Sequence, residues 1–207
     1  MTRAAAGTGA PRLAAVFGAI LAAWGLAGGG AAAAAEWQVD DAASRVAVAY
    51  EVNGVPGEAR FTRFEGEGWF DPARPEDSEL VLDFDIAAMD FGNAMATAFA
   101  LGPDWFASEA FPDGRFRLSA LTPAAGDGYV AEGTLTLKGV TRPVRVPLRL
   151  RLEEGLVRAT GAVVIEPAAF GIGDGPSTML VEMGRKATVR FELIARAVAA
   201  VAGAATR

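Results

Sequence analysis

Apolar and polar residues alternate with a period of two along most of this chain. In Glu79–Ile86, Leu80, Leu82, Phe84 and Ile86 share one face, while Glu79, Asp83 and Asp85 share the other. In Val144–Leu152, Val144, Val146, Leu148, Leu150 and Leu152 oppose Arg145, Arg149 and Arg151. In Thr188–Arg196, Val189, Phe191 and Leu193 oppose Arg190, Glu192 and Arg196. Such patterns predict antiparallel strands with one dry and one wet face. Weaker versions predict further strands at Arg45–Val52, Phe61–Phe70, Arg115–Leu121, Tyr129–Lys138 and Leu156–Ile165. About eight strands at this spacing suit a barrel or a sandwich.

Turn chemistry separates these runs at Asn53-Gly54, Asp71-Pro72, Pro123 to Gly128, Lys138-Gly139 and Glu154-Gly155. Pro147 interrupts a strand and points to an edge, a bulge or a rim. One stretch, Gly92–Gly114, abandons the alternation. There Asn93 is placed to cap a short helix running to about Leu101, and Asp104 to cap a second helical turn before Pro112. The two helices would carry Phe99, Trp105, Phe106 and Phe111 as a lid for one barrel end. The glycine-rich segment Phe170–Pro176 is followed by no helix signal, so it reads as a rim loop rather than a phosphate-binding turn.

The first residues follow other rules. Arg3 and Arg12 precede an apolar run from Leu13 to Leu26, and an Ala-rich exit ends at Ala35. This reads as a cleaved secretory signal over residues 1–35, with export to the periplasm. The domain proper is expected over 36–196, and 197–207 reads as an Ala-rich tail. The net charge is −6, and the signal carries two arginines and no acid, so the remainder is more acidic still. Nothing in that balance favours nucleic acid or an anionic membrane surface. Arginine rows on the strands argue against an outer face sunk in lipid, and no stable membrane insertion of the mature chain is expected.

Candidate chemistry is sparse. The chain has no histidine and no cysteine, which removes the commonest general base, the commonest transition-metal ligand and any disulfide framework. Ser44, Ser78, Ser108, Ser119 and Ser177 have no histidine to activate them, and none sits in a Gly-x-Ser-x-Gly elbow. Asp83 and Asp85 share the wet face with Glu79 and read as a solvated charge row. No spacing of carboxylates suggests a metal site, so catalytic residues, metal ligands and covalent cofactors are not expected. Binding remains. A barrel of about eight strands either fills with side chains or holds one small ligand. Small residues on inward faces, Gly66 and Gly68 or Ala131 and Gly133, would leave room for a thin apolar ligand, or else permit sharp sheet bends.

Several motifs taken together resemble the YceI family of exported bacterial proteins. They are Trp37 with Asp40, Phe61 with Phe64 and Gly66, the Phe70-Asp71-Pro72 turn, Phe111-Pro112 with Phe116, the Leu135–Pro143 hairpin and Phe170–Gly173. Their order spans Trp37 to about Ala195. The resemblance implies an extended lipocalin-like barrel with an apolar tunnel holding an isoprenoid lipid of polyprenyl or quinone type. It further implies a periplasmic carrier, and some relatives are paired with a b-type membrane cytochrome. This chain departs from the pattern at Lys138, where many members carry histidine, and at "MATAFAL", where a more charged run is common. On this reading the tunnel is lined by Phe64, Phe70, Leu82, Phe84, Phe99, Trp105, Phe106, Phe111, Phe116, Gly133, Leu135, Leu137 and Phe170. Asn93 and Thr97 are the candidate polar contacts. The competing reading is a protein–protein accessory module of a respiratory or stress system, its barrel filled by its own side chains. Homodimerisation stays open under both.

Overall fold

The computed structural model describes residues 35–198, except 72, 154 and 180. The expected signal, apart from Ala35, and the tail beyond residue 198 lie outside the described residues. In chain order the elements are β1 (Ala35–Val39), β2 (Arg45–Val52), β3 (Val55–Phe61), β4 (Phe64–Phe70), β5 (Glu79–Asp85), β6 (Met89–Asp90), α1 (Ala94–Ala100), β7 (Asp113–Pro123), β8 (Gly128–Leu137), β9 (Val140–Glu153), β10 (Leu156–Ile165) and β11 (Ala187–Ala197).

Six of these segments pair off into three long bent staves. β1 and β2 both lie along the same edge of β11, with partners Trp37↔Ala197 and Val46↔Phe191, and so form one stave broken at Asp40–Ser44. β3 and β4 make the second, bent at Thr62 and Arg63, and β5 with β6 the third. With β7 to β11 this gives eight antiparallel staves in simple up-and-down order, closed where β1 meets β11. Closure removes the exposed edges that an open sheet of this length would present.

The break at Asp40–Ser44 is tied to β11. The Ile194 N–H donates to Ser44 Oγ at 2.8 Å, the Asp40 N–H donates to the Ile194 carbonyl at 2.8 Å, and Arg196 Nε donates to Asp40 at 2.9 Å. The Arg196 guanidinium, aided by the Ala43 N–H, holds the Asp40 carboxyl below the usual carboxylate range.

Two turns match their residue chemistry closely. Asn53-Gly54 joins β2 to β3 and Lys138-Gly139 joins β8 to β9, each with positive φ at both central residues. That is the twist-matched geometry of a two-residue hairpin, which Asn-Gly adopts readily. Lys138 also reaches across the rim, its Nζ donating to the Gly171 carbonyl at 2.7 Å.

Some expectations need correction. The strand expected at Phe61–Phe70 is broken at Thr62 and Arg63, so that Phe61 ends β3 and β4 starts at Phe64. The rest of β3 escapes the sequence pattern, because Val55-Pro56-Gly57 has no alternation of its own and is held extended by pairing to β2. β7 slips register between Leu118 and Ala120, a bulge that turns both Leu118 and Leu121 inward. Only one of the two expected helices forms. Asn93 caps α1, accepting from the Ala96 N–H at 2.9 Å. Asp104 caps nothing in its own segment, which continues as turns. Its carboxylate accepts from the Ser177 N–H at 2.9 Å, and its carbonyl accepts from Gly173 and Asp174. Pro147 sits where β9 parts from β10: their ladder ends at Leu148↔Gly161, so its missing N–H breaks no bond on that side.

The outer face is charged and paired. Arg115 forks onto Asp83 at 2.5 and 2.9 Å, Arg63 meets Asp85 at 2.8 Å, and Arg145 meets Glu132 at 3.0 Å. Arg158 pairs with Glu192 across β10 and β11. Exposed pairs of this kind contribute roughly 0–1 kcal/mol each, so they make the face wet more than they hold the barrel. Among the described residues, no helix is long and apolar enough to cross a membrane.

Candidate ligand-binding lumen

Alternation along each stave sends every second side chain inward. β10 contributes Val157, Ala159, Val163 and Ile165, and β9 contributes Val144, Val146, Leu148 and Leu150. β11 contributes Ala187, Val189, Phe191, Leu193 and Ala195. Those side chains do not fill the interior. They enclose a cavity of about 240 Å³ that runs from Trp37 and Phe70 at one end to Met89, Phe106 and Ile172 at the other. At about 3.3 Å per residue and a tilt of about 40°, Val157 to Ile165 covers roughly 20 Å of its length. The lumen is therefore long and narrow. An engineered apolar cavity of about 150 Å³ stays dry and takes benzene, so this one has room for an apolar guest.

The residues singled out from the sequence fall into three groups. Phe70, Leu82, Phe84, Phe106, Phe116, Leu135 and Leu137 line the lumen. Phe99 and Trp105 instead line a second cavity of about 320 Å³ between α1 and the β2–β3 hairpin. The remainder touch neither. Phe64 is buried among Val46, Leu82 and Leu193, and Phe170 among Ile86, Met89 and Trp105. Phe111 lies half exposed over the Gly139 turn. Asn93 is occupied as the helix cap, and Thr97 Oγ1 accepts from the Phe91 N–H at 3.0 Å.

Gly133 is not a lining residue, and neither Gly133 nor Gly66 makes the room. A Cβ at Gly133 would stand 2.3 Å from the Arg117 carbonyl oxygen and 2.9 Å from the Phe116 ring. At Gly66 a Cβ would stand 2.4 Å from Leu82 and 2.6 Å from Val39. Their missing side chains let neighbours close in, which is the sheet-bending reading rather than the cavity reading. Lining residues not singled out include Trp37, Val48, Tyr50, Phe61, Phe91 and Met183. The alternation of β2 could have found Val48 and Tyr50, and the tight turn at Asn53-Gly54 identified β2 as a hairpin arm.

Four residues border both cavities: Tyr50, Phe91, Phe106 and Met183. The rings of Tyr50 and Phe91 lie 5.7 Å apart and those of Phe91 and Phe106 6.1 Å apart, tilted in the geometry favoured by aromatic pairs. They form a partition between the barrel interior and the groove beneath α1. Burial pushes the Tyr50 phenol above its ordinary range. Behind the partition the Trp105 indole donates to Ser177 Oγ at 3.1 Å. The Ser177 N–H and hydroxyl hold the Asp104 carboxyl below the usual carboxylate range, with Lys138 adding a smaller effect. This network fixes the loop after β10 against the segment after α1.

No lysine or arginine lines the lumen among the described residues, and Glu79, at its margin, is exposed. No cluster of three or more acidic side chains able to hold a metal occurs among the described residues. Two buried polar atoms stand without a partner among them, Trp37 Nε1 and Ser78 Oγ, and both residues border the lumen.

Fold and site together define a small closed β-barrel with a dry, elongated interior and a charged exterior. The chain belongs to the family of the YceI-like domain, whose model matches residues 37–195. It is 33% identical over 84 residues to the UPF0312 protein plu2095 of Photorhabdus laumondii, covering 41% of this chain and 43% of that protein. To a UPF0312 protein of Azotobacter vinelandii it is 26% identical over 127 residues, covering 60% and 66%. The chain thus spans about half the length of the curated relatives it matches. Among solved structures, BcnA of Burkholderia cenocepacia superposes with a TM-score of 0.70 at 31% identity, over 75% of this chain and 98% of that one. A polyisoprenoid binding domain from Saccharophagus degradans, implicated in plant cell wall breakdown, superposes with a TM-score of 0.63 at 17% identity, over 78% and 98%. At that identity the second match speaks to the fold alone.

Proposed function

We propose that this protein holds a long-chain isoprenoid lipid, of polyprenyl or quinone type, in its lumen and acts as a non-catalytic carrier or sequestering protein in the periplasm. The observation that carries the reading is the lumen itself, about 240 Å³ of narrow space walled by aliphatic and aromatic side chains with no cation among them. A protein of the same fold is described as a polyisoprenoid binding domain, and the ligand class is taken from the family resemblance. The basic, then apolar, then Ala-rich N-terminus supports export.

Each tail CH₂ taken out of water contributes about 0.8 kcal/mol before association costs, so affinity rises with the length of tail enclosed. The wall's part is to exclude water and fit the branched tail. The partition of Tyr50, Phe91, Phe106 and Met183 has to shift for a tail to pass beneath α1. The direct test is mass spectrometry of an organic extract from natively exported protein, followed by titration with a prenylated quinone. A bound prenyl lipid at near one per chain is the expected result. An empty extract together with no binding of added quinone would sink the carrier reading and favour the accessory-module one.

A further inference from the structure

The lumen wall is carbon almost throughout, which makes its two unpartnered polar atoms informative. Trp37 sits on β1 opposite Gly68 of β4, and Gly68 in turn sits opposite Leu80 of β5. Ser78 directly precedes β5 on the same inward parity as Leu80 and Leu82, and it is only 5% exposed. Gly68 puts no side chain over that stretch of β4, and Ser78, one step past the Trp69↔Glu79 pair, comes opposite Phe70. Both Trp37 and Ser78 border the lumen at the end of the barrel away from α1. Both Nε1 and Oγ are buried and lack a partner among the described residues. Native folds rarely keep such groups unless something else uses them.

We propose that Trp37 Nε1–H and Ser78 Oγ–H are the hydrogen-bond donors for the oxygen of the lipid's headgroup. The ligand then lies with its head at the β1–β4–β5 end and its tail toward α1. This rests on the lumen being a lipid site, and it adds the ligand's direction and the chemistry of its head. An indole N–H only donates, so the partner must be an acceptor. With no lysine or arginine on the wall, a diphosphate would be a buried anion without a counter-charge. The class that fits is a neutral oxygen, either the carbonyl of a prenylated quinone or the hydroxyl of a prenol.

The test uses four probes of one tail length: a prenylated benzoquinone, the prenol, the hydrocarbon without oxygen, and the prenyl diphosphate. Affinities are measured for wild type, Trp37→Phe and Ser78→Ala. Each substitution is expected to weaken the quinone, the prenol or both by about three- to tenfold more than it weakens the hydrocarbon, the range of one hydrogen bond. A response confined to one of the two oxygen probes identifies which oxygen the pair reads. The ¹⁵N-indole resonance of Trp37, assigned by its loss in Trp37→Phe, should move downfield with an oxygen-bearing probe and stay put with the hydrocarbon. Ligand-free Ser78→Ala should melt at or above the wild-type temperature. Equal weakening of hydrocarbon and quinone, wild-type affinity of both variants for both oxygen probes, a diphosphate bound more tightly than the prenol, or a lower melting point for ligand-free Ser78→Ala would each overturn the donor pair. If wild type binds none of the probes, the carrier reading falls first and this assignment with it.

Discussion

Ala159→Phe separates a lumen that holds a guest from one that is merely loosely packed. Ala159 is the inward residue at the middle of β10, flanked by Leu150 on β9 and Leu193 on β11, and it remains partly accessible although it faces the interior. Phenylalanine suits an extended backbone, so the cost lies in space rather than conformation. A benzene ring occupies a cavity of about 150 Å³. A phenyl group placed in 240 Å³ therefore takes more than half of the lumen. If it displaces about 100 Å² of tail contact at about 25 cal/mol per Å², binding weakens by about 2.5 kcal/mol, or about 70-fold. The ligand-free protein should meanwhile gain about 0.5–2 kcal/mol from the filled void. Thermal melts with and without added prenylated quinone read both effects: a higher baseline melting temperature and a lost ligand-induced shift. A variant that melts lower by the roughly 1–3 kcal/mol of overpacking, or that still carries wild-type lipid, would refute the reasoning.

Three further outcomes follow from the wall and the rim. Gly133→Ala forces a Cβ to within 2.3 Å of the Arg117 carbonyl, so urea melts should show a loss of about 1–3 kcal/mol. Its lipid content per folded molecule should fall less than in Ala159→Phe, because Gly133 does not itself border the lumen and reaches it only by pressing on the Phe116 ring. Ser44→Ala strands the Ile194 N–H at the broken first stave, and should cost about 1–3 kcal/mol in the same melts. Asp104 has its carboxyl depressed below 3.8 in the folded state by Ser177. Its contribution to holding the loop after β10 is thus complete above that pH and is lost as pH falls through the lower folded value. The Ser177 amide resonance should titrate with a midpoint under 3.8 and show no such step in Asp104→Asn.

Much of the barrel was legible because its signals are local. The alternation Leu80-Leu82-Phe84 or Val144-Val146-Leu148 assigns a face to each residue without knowledge of any partner strand. Asn53-Gly54 and Lys138-Gly139 specify hairpins through their own backbone preferences. The acidic pair Asp83 and Asp85 was readable as wet because it shares a face with Glu79, and it meets Arg115 and Arg63 there. Failures occurred where a distant partner imposed the local shape. β3 is extended because β2 holds it, Asp104 serves a loop some seventy residues away, and the β7 bulge breaks the parity that would have placed Leu121.

By itself, the sequence determined an exported-looking, cysteine- and histidine-free chain of alternating strands, and a family resemblance that named the ligand class. Which inward side chains reach the axis was a tertiary decision. Facing inward is a property of one strand, whereas reaching open space depends on the stagger of eight strands and on what stands opposite. Phe64 and Phe84 share a dry face in adjacent staves, yet only Phe84 borders the lumen. Gly133 appeared to offer room, but the Phe116 ring had already moved into it. Trp37 and Ser78, forty-one positions apart in the chain, come to border one lumen only when β1 closes the barrel between β4 and β11.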